Sequence, residues 1–220
     1  MSATTAPTPA ATPAEDGAAL RPAPAPAADA EERDSRPRDG TTILSVVPEA
    51  ALTDAGRTEL RAFLVAAYAP HHADVFSRHD FWGGPPTARV IARSPDGTLL
   101  AHLGFSARTI AVGKAEVRVA GVGAVATHPT HRGGGLGRSL FDRLAEYLAS
   151  SGAADFALLE CRDAVVGFYE ACGFRHSVRT VTALDPATGE VDVSTSNLMV
   201  RPLGRETFPA GDVDLRGVRW

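Results

Sequence analysis

The segment Thr127-His128-Pro129-Thr130-His131-Arg132-Gly133-Gly134-Gly135-Leu136-Gly137-Arg138-Ser139 limits what this chain can fold into more than any other. It follows a β-rich run, 115–127, and opens a helix predicted over 136–150. In that helix Leu136, Leu140, Leu144 and Leu148 share one face with Phe141 beside them, while Arg138, Asp142, Arg143 and Glu146 face water. Gly152 stands where a helix C-terminal glycine belongs. Glycines between a strand and a helix N-terminus let successive backbone N–H groups converge on an anion, and the helix end adds partial positive charge. The loop therefore reads as a phosphate cradle. It is not a nucleotide P-loop, because no glycine stands five residues before Gly137 and Arg138 replaces the lysine. Arg138 also occupies the third glycine of a dinucleotide fingerprint. A glycine turn without ligand is the alternative.

Around this loop, strands and helices alternate without repeats, which makes the chain mixed α/β. A strand is expected over 43–47. Thr53 or Asp54 caps a helix carrying Leu60, Phe63, Leu64 and Ala67. The stretch 71–86 reads as a loop or short helical excursion, and extended segments follow near 88–94, 98–112 and 115–127. Ser94-Pro95-Asp96-Gly97 and Gly113-Lys114 supply the turns between them. Further strands are expected over 156–161, 174–184 and 195–201, with a short helix over 165–172 closed by Gly173.

Residues 1–40 are Ala- and Pro-rich and read as a disordered tail, since they bury too little to offset their ordering entropy; 41–220 forms one domain. A net charge of −4 argues against nucleic acid as a partner. No apolar run is long enough for a membrane helix and no secretory signal is visible, so a cytoplasmic monomer or homodimer is expected. Cys161 and Cys172 lack metal or redox spacing and read as small core residues. No metal is expected: His71, His72, His79, His128 and His131 lack the helical spacing that brings two imidazoles onto one ion.

The pattern Arg132-x-x-Gly135-x-Gly137 resembles the GCN5-related N-acetyltransferase (GNAT) superfamily. So does Val125-Ala126-Thr127-His128-Pro129 before it and Gly167-Phe168-Tyr169-Glu170-Ala171-Cys172-Gly173-Phe174 after it. The resemblance, which spans 88–184, implies a central twisted, mostly antiparallel sheet flanked by helices, with strands splayed around acetyl-CoA as acyl donor. It implies that backbone N–H groups of Arg132, Gly133, Gly134, Gly135, Leu136, Gly137 and Arg138 hold the diphosphate. The edge of Val125, Ala126 and Thr127 would pair with pantetheine amides. Tyr169 would protonate the departing thiolate, a role that suits a phenol because it is protonated at neutral pH. A packed core aromatic is the plainer reading of Tyr169.

An amine must lose a proton to attack, and many relatives place a glutamate on the strand before the glycine loop. Here that strand reads Gly121-Val122-Gly123-Ala124-Val125. Glu160 is the nearest substitute as base, with Glu116, Asp163, Asp80 and the C-terminal acids behind it; a structural carboxylate is the other reading. Arg162 stands where asparagine is frequent. Ala101-His102-Leu103-Gly104, 108–113 and 208–217 are similar to nodulation-type N-acyltransferases, and to aminoglycoside N-acetyltransferases with their Gly-Asp-x-Trp ends. Both modify amino sugars, which implies a small-molecule amine acceptor. Asp212 and Asp214 would give it an anionic rim, and Trp82 or Trp220 a stacking face. Two other readings stay open: transfer of a long acyl chain from an acyl carrier protein, and a non-catalytic acyl-CoA-binding module.

Overall fold

The computed structural model describes residues 42–69, 72–205 and 207–220. The tail expected over 1–40 and His71 lie outside the described residues. The order of elements is β1 (Ile43–Pro48), α1 (Asp54–Tyr68), α2 (Ala73–Arg78), β2 (Ala88–Arg93), β3 (Leu99–Val112) and β4 (Ala115–Thr127). Then come α3 (Leu136–Ser151), β5 (Phe156–Cys161), α4 (Val166–Ala171), β6 (Arg175–Leu184), β7 (Val191–Pro202) and β8 (Val213–Val218).

All the strands join one sheet in the order β1-β2-β3-β4-β5-β7-β6-β8. Pairing is antiparallel except for β4–β5 and β6–β8. Because β8 also pairs with β3 through Ala111–Asp214 and Val112–Val213, the six strands from β3 to β8 close into a ring. Its interior holds Ile110, Val117, Phe156, Leu158, Val181, Leu198, Leu215 and Trp220.

Strand alternation distributes the other two cores. Val90, Leu103 and Phe105 face α3, whose buried stripe is Leu140, Phe141, Leu144 and Leu148. Ile91, Leu99, Ala124 and Ala126 face Leu60, Phe63 and Leu64 of α1 and Phe76 of α2. Thr53 caps α1 by accepting the Gly56 N–H at 3.1 Å, and Gly152, at φ 61°, ends α3.

Two expectations needed correction. Strand β7 begins at Val191 rather than 195 because its first half lies on the open outer face, where Val191 and Val193 are exposed and no apolar core marks the residues. Strand β8 lies beyond the expected strands. Yet Val213 and Leu215 are buried while Asp214 and Arg216 are exposed, the period-2 pattern of a half-buried strand.

Candidate active site

Strands β4 and β5 pair only from Val119–Phe156 to Gly121–Leu158 and then diverge. Two connected cavities occupy the divergence. The larger, about 830 Å³, runs from the glycine loop along Val125, Ala126 and Thr127 to Arg162, Phe168 and Tyr169. The smaller, about 410 Å³, is enclosed by Val122–Val125, Leu159–Arg162, Trp82, Ser196, Arg219 and Trp220. Tyr68, His72, Val125, Arg162, Val165 and Tyr169 line both, so they mark the junction.

At the glycine loop, Gly133 (φ 82°) and Gly135 (φ 85°) are left-handed, a conformation that turns the chain into α3 without a side-chain cap. Among the described residues, no backbone N–H from Gly133 to Arg138 donates to another protein group. A row of free donors at a helix N-terminus is a site for an anion. Gly137 is packed rather than free: a β-carbon there would meet the Phe168 ring at 2.7 Å. The Arg132 guanidinium is turned away from the loop, donating to the Ala67 carbonyl at 2.9 Å and so tying the cradle to the end of α1.

Next along α1, Tyr68 donates its hydroxyl to the Val125 carbonyl at 2.8 Å. The edge expected to pair with pantetheine is therefore already engaged at the Val125 carbonyl, by a residue that no motif marks. Burial pushes the Tyr68 phenol well above its ordinary value. It does the same to Tyr169, helped by the neighbouring Tyr68, so both phenols stay protonated through the neutral range. Tyr169 sits edge-on to Phe141, Phe168 and Phe174. Cys161 and Cys172 each line one cavity, and burial raises both thiols, which keeps them from serving as thiolates.

Glu160 lines the smaller cavity. Its Oε2 accepts from Ser196 Oγ and from Arg219 Nε, each at 3.1 Å. Arg219 also reaches Asp192 and Ser194. Glu160 Oε1 is buried without a partner among the described residues, a costly state for a carboxylate oxygen. Trp82 meets His72 edge-on at 4.8 Å and, with Trp220, forms aromatic wall of the same cavity. Asp212 and Asp214 do not join them. They lie at the opposite end of β8, where the Asp212 carbonyl accepts the Gly113 N–H and Asp214 accepts the Arg216 N–H. The proposed anionic rim is thus absent from the lining, because β8 carries its C-terminal end, not its N-terminal end, into the cleft.

A sequence profile of nodulation protein A (NodA) matches residues 43–211, more than three quarters of the chain. The chain belongs to the nodulation protein A family. It is an acyltransferase, and its fold is that of the GNAT enzymes. An Escherichia coli GNAT-family N-acetyltransferase, YhbS, solved in complex with CoA, superposes with a TM-score of 0.55 at 18% identity, over 79% of this chain and 89% of that one. A Lactobacillus plantarum protein assigned as an N-acetyltransferase does so with a TM-score of 0.50 at 18% identity, over 74% and 98%. No curated protein sequence matches. Among the described residues no helix is long and apolar enough to cross a membrane, and no metal-ligating cluster forms.

Proposed function

We propose that this NodA-family acyltransferase moves an acetyl group from acetyl-CoA to the primary amine of a small molecule, an amino sugar being the class its smaller cavity suits. One observation carries the reading. The unengaged N–H row of Gly133–Arg138 opens into a cleft that passes between β4 and β5 and ends in a second, aromatic-walled cavity, with Tyr169 at the junction.

The donor supplies an activated thioester carbonyl; the chain supplies everything around it. The N–H groups of residues 133–138 would hold the diphosphate, and Ala126 and Thr127 would flank the pantetheine arm. A backbone N–H at Val125 would stabilise the oxyanion that forms on direct attack, so no acyl-enzyme is required. The Tyr169 hydroxyl, kept protonated by burial, would donate to the leaving sulfur. In the smaller cavity the part-exposed Trp82 would offer a face to a sugar ring, while Trp220, buried with Arg108 over its indole, backs the wall. Glu160, which lines this cavity, would take the proton of the attacking ammonium, directly or through water.

Thiol release from acetyl-CoA, measured against amino sugars, polyamines and peptides, tests the reading. Turnover with the amino sugars is the expected result. Release only when an acyl carrier protein presents a long chain would transfer the assignment to that donor. Tight CoA binding without turnover on any amine would leave a binding module.

A further inference from the structure

The junction of the two cavities is built on an irregularity in β4. The ladder pairs His102 with Ala126 and Gly104 with Gly123, so β4 takes three steps where β3 takes two, and Ala124 and Val125 have no ladder partner. This is a β-bulge. Ala124 sits at φ +51°, a left-handed conformation that a residue with a β-carbon adopts only when its surroundings hold it there.

What holds it lies on the α1 side of the sheet. The Ala124 carbonyl meets Nδ1 of His102 at 2.9 Å, and Nε2 of the same ring meets Nη1 of Arg89 at 3.2 Å. A guanidinium can only donate, so Nε2 must be the acceptor and the ring proton sits on Nδ1, donating to Ala124. Arg89 is fully buried and immobilised: Glu49 takes its Nε at 2.8 Å, the Asp80 carbonyl takes Nη1 at 2.8 Å, and the Asp80 carboxylate lies 3.4 Å from Nη2. Arg57 clamps Glu49 and Asp80 from behind. Burial first, and the Arg89 charge second, push the imidazole down to about 3, so the donating tautomer persists at any working pH.

The consequence follows from peptide geometry. In a trans peptide the C=O of one residue and the N–H of the next point in opposite directions. Fixing the Ala124 carbonyl on His102 therefore turns the Val125 N–H away from the α1 side, and Val125 lines both cavities. The neighbouring Val125 carbonyl is held in turn by Tyr68. We infer that His102 is a positioning residue for acyl transfer: through the Ala124 carbonyl, and locked by Arg89, it aims the Val125 N–H at the position where the oxyanion forms. The inference rests on the acyltransfer reading above.

A ketone analogue of acetyl-CoA, with a methylene in place of sulfur, tests the inference on the native protein. In a crystal structure of the complex the Val125 nitrogen should lie within hydrogen-bond distance of the analogue's carbonyl oxygen, with His102 still on Ala124. Analogue bound in the cleft with its carbonyl on another donor overturns the inference and spares the reading; failure to bind takes down both. Kinetics supply the second arm. His102→Leu should lower kcat about 100-fold, the cost of misplacing one oxyanion donor, with little change in KM for acetyl-CoA. His102→Asn, whose amide can donate from nearly the place of Nδ1, should recover activity to within about tenfold of the native enzyme. Equal losses in the two variants would mean that His102 only packs, as would no loss in either. If the leucine variant fails to fold, the analogue complex still decides.

Discussion

The Trp220 indole occupies the space that a side chain on Gly121 would need: a β-carbon there would sit 2.0 Å from the ring's Cδ2. At Gly123 the clash would be with the Trp220 backbone, 2.4 Å from its carbonyl carbon. The glycines that leave β4 without a glutamate are therefore the seat of the chain's last described residue. Arg108 secures that seat, its guanidinium 4.5 Å from the indole centroid and bonded to the carbonyls of Leu215 and Val218.

Gly121→Ala should therefore destabilise the fold by about 1–3 kcal/mol through overpacking. Trp220→Ala should cost about 3–5 kcal/mol through the cavity it leaves. The double variant should cost clearly less than the two together, because the alanine methyl has room once the indole is gone. Urea denaturation of the four proteins measures the coupling. Simple additivity would show that the two residues do not share the space.

Much of the arrangement is legible in the sequence, and the parts that are not have physical reasons. The glycine loop, α3 and the three strands before it carry local signals: turn chemistry, 3.6-residue periodicity and β-branched runs. The cradle and Tyr169 each come from a contiguous motif of their own. Tyr68, His72, Ser196 and Arg219 are brought together only by the topology, since β7 and the segment after β8 return to a cleft made by β4 and β5. Nothing local distinguishes His102 from a strand histidine facing water; its role depends on Arg89 in the adjacent strand. Asp212 and Asp214 mislead for the same reason, because their distance from Trp220 depends on the direction in which β8 runs.

Gly135 is left-handed at φ 85° with nothing within 4 Å of a would-be β-carbon, so the space beside it belongs to the cleft. Gly135→Val would pay backbone strain of about 1–2 kcal/mol and place methyl groups before the free N–H row. The protein should remain folded and lose CoA binding at least about 100-fold by calorimetry. Undiminished affinity would remove the loop from the cofactor site.

Tyr169→Phe removes one hydroxyl at the junction of the cavities while keeping the ring that packs against Phe141 and Phe174. Stability should change little. The expected outcome is a kcat lower by about 100-fold, with KM for acetyl-CoA nearly unchanged, as for loss of a proton donor used only in the transition state. Steady-state kinetics with the best amine of the panel would show it. Unaltered turnover would return Tyr169 to the core.

The depressed imidazole of His102 makes a prediction about acid. An unfolded histidine takes up a proton near pH 6.5, whereas folded His102 refuses it until about 3, because burial and Arg89 both oppose the charge. Below pH 6.5 the unfolded state thus binds more protons, and the stability contribution of neutral His102, complete above that pH, is lost progressively as the pH falls towards 3. Between pH 6.5 and 5 the loss should be about 2 kcal/mol. Glu49 adds to it at lower pH. Burial works against its ionisation, but Arg89 and Arg57 outweigh burial and hold its carboxyl below the ordinary value. His102→Asn has no such proton to refuse, so its urea midpoint should change less than the native protein's between pH 7 and 5. Parallel curves for the two proteins would show that His102 does not stay neutral in the fold.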